Sequence, residues 1–141
     1  MNQIQNIRNL SLSIFGSIFI IGSILAQDIQ TSQVQFEKGK TGTTIKSSIT
    51  GSKTIDYVLN VKEGQTMNVS MSTDNNANYF NIMEPKEDYV AIYNGAVNES
   101  TNMYEGILKK SGNYKIRVYL MRSAARRNEK ANFRLEINVN N

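Results

Sequence analysis

Three arginines, Arg122, Arg126 and Arg127, bracket the small residues Ser123, Ala124 and Ala125 in the stretch RVYLMRSAARRNEKANF, positions 117 to 133. A guanidinium is a planar fork that grips a carboxylate or a phosphate through two parallel bonds and keeps its charge at physiological pH. Arg122 and Arg126 stand four residues apart, so a single helical turn sets both forks on one side. Arg127 then points elsewhere, towards Glu129 or back to the body of the protein. Ser123, Ala124 and Ala125 are slim enough for such a turn to enter a narrow cleft. The chemistry on offer is recognition of negative charge, not bond making. The plain alternative is a solvated charged turn without a partner.

Little else in the chain suggests catalysis. It contains no histidine, cysteine or tryptophan. That composition removes Ser–His–Asp triads, Cys–His pairs and most zinc or transition-metal sites. Glu84, Glu87 and Asp88 cluster around Pro85, but glycoside hydrolysis needs two carboxylates in a shaped cleft, and acids beside a proline turn read as solvated loop charges. The run Asp74-Asn75-Asn76 offers oxygens to calcium but lacks the further acids at alternating positions that such a site needs, and a turn explains it. No glycine-rich phosphate loop is present. We therefore expect no catalytic residue, no cofactor and no metal. Ser111-Gly112-Asn113-Tyr114 reads first as a turn whose tyrosine opens the inward face of a strand; a serine at a hairpin tip is also able to reach into a partner.

The charge is unevenly spread. Lys109 to Arg134 holds nine lysines or arginines against one acid, Glu129, a local charge of +8. Apart from the first 26 residues, the rest of the chain carries six lysines against eleven acids, or −5. A basic segment on an otherwise acidic domain suggests a negatively charged partner. Nucleic acid is one such partner, with RSAARR on the phosphates and Tyr119 as a stacking site. A peptidoglycan or surface adhesion module is a third class.

Elements must hold that arginine stretch in place. Residues 1–26 combine a polar start carrying Arg8, an uncharged apolar run, and the small residue Ala26 at a cleavage position. This is the layout of a secretory signal, too short for a good membrane span. Export argues against nucleic acid as the partner, and leaves no membrane attachment after cleavage. Residues 27–141 suffice for one domain, which without cysteine must hold together by packing alone. Alternation of period two places Ile55, Tyr57, Leu59 and Val61 on one face, then Met67, Val69 and Met71, then Tyr114, Ile116, Val118 and Leu120, and last Phe133, Leu135, Ile137 and Val139. Less regular runs lie at 43–49, 78–83, 88–93 and 103–108, separated by turn signals. The expected fold is all-β, an antiparallel β-sandwich of about eight strands. The stretch 122–131 is the one place for a helical turn. The segment QDIQTSQ, 27–33, reads as a disordered lead-in.

The residues SGNYKIRVYLMRSAARRNE, with DYVLNVKEGQTM upstream and ANYFNI between, resemble the family of periplasmic inhibitors of g-type (goose-type) lysozyme. The resemblance runs from about residue 36 to 139. It implies an antiparallel sandwich that is not an enzyme and that binds and blocks a g-type lysozyme. It also implies that Tyr57, Arg122 and Arg126 lie in the contact, within a loop that includes Ser123 and Arg127. The Ser111-Gly112-x-Tyr114 element is shared with other lysozyme-inhibitor families. Alternation by itself sends Tyr57 inward with Ile55 and Leu59. Oligomeric state is not legible in the sequence.

Overall fold

A computed structural model describes residues 28–97 and 101–141. The expected signal segment and its cleavage after Ala26 lie outside the described residues. Among the described residues nine strands form: β1 (Ile29–Gln33), β2 (Gly42–Thr50), β3 (Thr54–Val61), β4 (Thr66–Thr73), β5 (Asn78–Met83), β6 (Ala91–Asn94), β7 (Met103–Ile107), β8 (Gly112–Leu120) and β9 (Lys130–Asn140). One helical turn, α1 (Arg122–Arg126), connects β8 to β9. The strands make a five-stranded sheet in the order β1-β3-β8-β5-β6 and a four-stranded sheet in the order β2-β9-β4-β7.

Period-two alternation builds this arrangement directly. In the five-stranded sheet Tyr57 lies opposite Ile116 and Leu59 opposite Tyr114, while Phe80 and Ile82 flank Val118 and Ile116 on the other side. In the four-stranded sheet Leu135 is paired with Ile45 and Met71, and Ile137 with Val69. These side chains meet in one core, with Phe80, Ile82, Tyr114, Ile116, Val118, Leu135 and Ile137 fully withdrawn from water. Burying each large apolar side chain contributes roughly 1.5–3 kcal/mol, which lets a cysteine-free domain of this size close on itself.

Two expectations change in detail. The sandwich of about eight strands has nine among the described residues, and 29–33 is ordered as β1 and not a lead-in. Apart from Ile29 its residues are polar on both faces, and most are exposed, so no alternation marks it. Backbone pairing holds it instead, parallel to β3, with Val34 N–H donating to the Val58 carbonyl at 2.8 Å and Thr54 N–H to the Asp28 carbonyl at 2.9 Å. The run at 88–93 contracts to β6, whose pairing with β5 is interrupted by a shift in register.

The outward face of the five-stranded sheet carries one buried ion pair. Asp56 and Arg117 are directly opposite in register, and the guanidinium donates to both carboxylate oxygens at 2.7 and 2.8 Å. That bidentate bond, above all, raises the pKa of Arg117.

Candidate functional site

Arg122, Arg126 and Arg127 sit at one end of the sandwich, where β8 hands over to β9. The local fold follows from residue size. Ala124 is fully buried and Ala125 half-buried against the core, so successive 100° steps around the turn send Arg122, Ser123 and Arg126 outward. All three are exposed. Met121 precedes the turn in an extended conformation with no side-chain cap. Its N–H donates to the Ala77 carbonyl at 2.8 Å, fixing the start of the loop to the β4–β5 turn.

The far end of the loop is tied more heavily. Asn128 takes a left-handed conformation with φ 54°. The Glu129 carbonyl accepts from Gly51 N–H at 2.9 Å in the β2–β3 turn. Gly51 itself has φ 62°, and a Cβ there would lie 2.6 Å from Asn128 Oδ1, so the site requires glycine for both space and conformation. From the β4–β5 turn, Asn75 Nδ2 donates to Glu129 Oε1 at 3.0 Å and to the Lys130 carbonyl at 3.2 Å. Glu129 Oε2 accepts from Arg127 Nε at 2.6 Å. These two bonds, Asn75 first, hold the Glu129 carboxyl below its ordinary pKa.

The electrostatics separate the arginines. Arg117 is paired with Asp56, Arg127 with Glu129 and Arg134 with Glu136. Among the described residues, Arg122 and Arg126 have no ion pair and no side-chain hydrogen bond. Two exposed forks on the outward side of one helical turn remain available for an external carboxylate or phosphate.

The other expected site residues are not brought to this place. Tyr57 lies in the core at 4% exposure, edge-on to Phe133 with ring centroids 6.4 Å apart. Burial raises the pKa of its hydroxyl, partly offset by a hydrogen bond with Ser47. Its place is that of a packing residue, as alternation indicated. Ser111 stands at the other end of β8 from Arg122. A nine-residue strand rising about 3.3 Å per residue separates them by roughly 30 Å. Ser111 Oγ accepts from Glu63 N–H at 2.9 Å, and Tyr114, fully buried, donates to the Lys110 carbonyl at 3.0 Å. Ser111-Gly112-Asn113-Tyr114 thus opens β8 and has a structural place in this fold.

The acids are accounted for locally. Both carboxylate oxygens of Asp74 accept from Asn132, at 2.8 and 2.7 Å. Asp88 is paired with Lys115, and Glu84 lies 3.7 Å from Lys110. Among the described residues no group of three or more acids, histidines or cysteines is gathered to hold a metal. Sequence reasoning passed over Asn75, Gly51 and Asn128 as loop anchors. The signal for them was faint: a turn tripeptide and a lone glycine, each with an ordinary explanation.

The sequence matches no protein-family model and no curated protein. Among solved structures, the chain is similar to PliG of Aeromonas hydrophila, a periplasmic lysozyme inhibitor of g-type lysozyme. The two are 39% identical over 81% of this chain and 99% of that one, with a TM-score of 0.74. A mutant of the Escherichia coli periplasmic inhibitor of g-type lysozyme is 26% identical over 79% of this chain and 98% of that one, with a TM-score of 0.59. The Salmonella Typhimurium inhibitor, at 23% identity over 78% and 97% with a TM-score of 0.59, bears on the fold alone.

Proposed function

The chain belongs to the family of periplasmic inhibitors of g-type lysozyme, and from that membership we propose that it is exported by a signal spanning residues 1–26 and blocks a g-type lysozyme by direct association. It acts as a binding protein and not as an enzyme. The contact is the α1 loop, which enters the lysozyme cleft and places Arg122 and Arg126 among its carboxylates, with Ser123 giving the loop its slim profile. The observation that carries this reading is the exposure of Arg122 and Arg126 without partners, while Arg117, Arg127 and Arg134 are paired.

The physical basis is the chemistry of glycoside hydrolysis. Such a cleft depends on a carboxylic acid with a raised pKa that protonates the leaving oxygen, beside a second carboxylate. A guanidinium inserted there pairs with the ionised forms. It thereby stabilises the wrong protonation state of the acid and occupies the space of the sugar. The +8 segment around the loop adds a long-range attraction that speeds encounter. Tyr57 and Ser111 contribute to the fold behind this contact and not to the contact itself.

The test is lysis of bacterial cell walls by a purified g-type lysozyme, with and without the protein secreted from its full-length gene. Loss of lysis near a 1:1 ratio is expected. Undiminished lysis at a large molar excess of the protein would overturn the reading, and tight, salt-sensitive binding of DNA by the same preparation would put nucleic acid in its place.

A further inference from the structure

The arginine loop presents three guanidinium groups within six residues, yet only two are free. The third, Arg127, is bonded by Glu129 two residues on, and Glu129 is itself held by Asn75 from a different part of the chain. Asn75, in the β4–β5 turn, donates to both the side chain of Glu129 and the carbonyl of Lys130. Its side-chain oxygen Oδ1 accepts from Ala77 N–H at 2.9 Å, which fixes the side chain that makes those bonds. Glu129 spends one oxygen on Asn75 and the other on Arg127. Each Glu129 oxygen thus has a partner, and the charge of Arg127, whose side chain stays largely exposed, is offset.

Resting on the reading of Arg122 and Arg126 as the lysozyme contact, we propose that Asn75, Glu129 and Arg127 form a latch that positions the α1 loop, and that Arg127 is a positioning residue and not a contact residue. Two consequences follow from the geometry. First, the latch ties the end of the loop to the β4–β5 turn, the same turn that anchors its start through Met121 and Ala77. A turn of five helical residues is too short to be stable by itself, so these anchors decide what fraction of molecules present Arg122 and Arg126 together. Apparent affinity falls in proportion to that fraction. Second, pairing Arg127 with Glu129 offsets a like charge adjacent to Arg126, so the loop offers two unpaired forks beside a compensated one. Two forks with fixed spacing discriminate between carboxylate arrangements better than unordered charge does.

The latch is separable from the contact by a double-mutant cycle. Glu129→Gln is nearly isosteric, leaving the fold intact while removing the charge that holds Arg127; Asn75→Ala removes the tie between turns. Inhibition constants against a g-type lysozyme are measured for each change in the parent and in an Arg126→Ala background, with thermal unfolding alongside. The latch predicts that each substitution weakens inhibition by about tenfold in the parent and by about threefold when Arg126 is already gone, because only Arg122 is then left to position. Arg127→Lys, which keeps the charge beside Glu129, recovers most of what Arg127→Ala loses. Equal fold-losses in both backgrounds would overturn the latch by showing that it acts on the fold as a whole. Parent-level inhibition by Glu129→Gln and Asn75→Ala, with Arg126→Ala inactive, would also overturn it while leaving the arginine contact standing. Parent-level inhibition by Arg126→Ala would remove the contact reading itself and the latch with it.

Discussion

Tyr57 shows how far a single residue can be read from sequence. Resemblance to the inhibitor family places it in the contact, whereas alternation along β3 sends it inward; the structure buries it against Phe133. Period two is a consequence of strand geometry and holds wherever one face is packed. A role transferred from a relative has no such constraint. Arg127 was legible for the opposite reason, since Glu129 lies two residues away and the turn carries Arg127 off the side shared by Arg122 and Arg126. Burial makes a definite prediction for Tyr57. Tyr57→Ala leaves a cavity in the core and should cost about 3–5 kcal/mol of stability. Tyr57→Phe keeps the ring and loses only the hydroxyl bond, a cost of about 1 kcal/mol. Denaturant unfolding measures both. Tyr57→Phe should inhibit like the parent; a large loss of inhibition in this folded variant would return Tyr57 to the contact.

At the scale of elements, the strands with one apolar face were readable and the others were not. β8 and β9 alternate cleanly along their length, so their existence and facing follow from hydrophobic periodicity. β1 has no apolar face, and what orders it is backbone pairing to a distant strand, which leaves no mark in its own residues. The helical turn was legible from the spacing of Arg122 and Arg126, but the small residues between them were read as slimness for a cleft, whereas Ala124 and Ala125 pack inward. Its anchors were not, since each depends on a turn far away in sequence. Gly51 is the sharpest example. Gly51→Ala forces a Cβ towards Asn128 Oδ1 and demands a left-handed conformation that costs a non-glycine residue roughly 1–2 kcal/mol. The variant should be less stable by at least that amount. Amide exchange of residues 125–129 should rise more than exchange in β3. Unchanged protection across the loop would show that the β2–β3 turn does not brace it.

On the scale of the whole molecule, charge distribution and loop position act together. The packed sandwich provides a rigid body, and its basic segment leads into the end that carries Arg122 and Arg126. Charges around the rim of an interface set mainly the rate of encounter, whereas charges desolvated within it set the rate of escape. Rising salt should therefore slow association with lysozyme while changing dissociation less. The composition and the charge asymmetry were plain in the sequence. The separation of Ser111 from the arginine loop by the length of β8 was not, because it depends on which end of a strand each turn occupies. The most direct measurement is the binding of a g-type lysozyme to the parent and to Arg122→Ala, Arg126→Ala and Arg134→Ala, followed by rate and by calorimetry. If Arg122 and Arg126 fill a carboxylate-lined cleft, removing either leaves buried charge unpaired and should cost about 2–5 kcal/mol, seen mostly as faster dissociation. Arg134, on a strand face beside Glu136, should matter by about 1 kcal/mol or less. Parent-like binding by folded Arg122→Ala and Arg126→Ala would contradict the account and return the turn to a solvated surface.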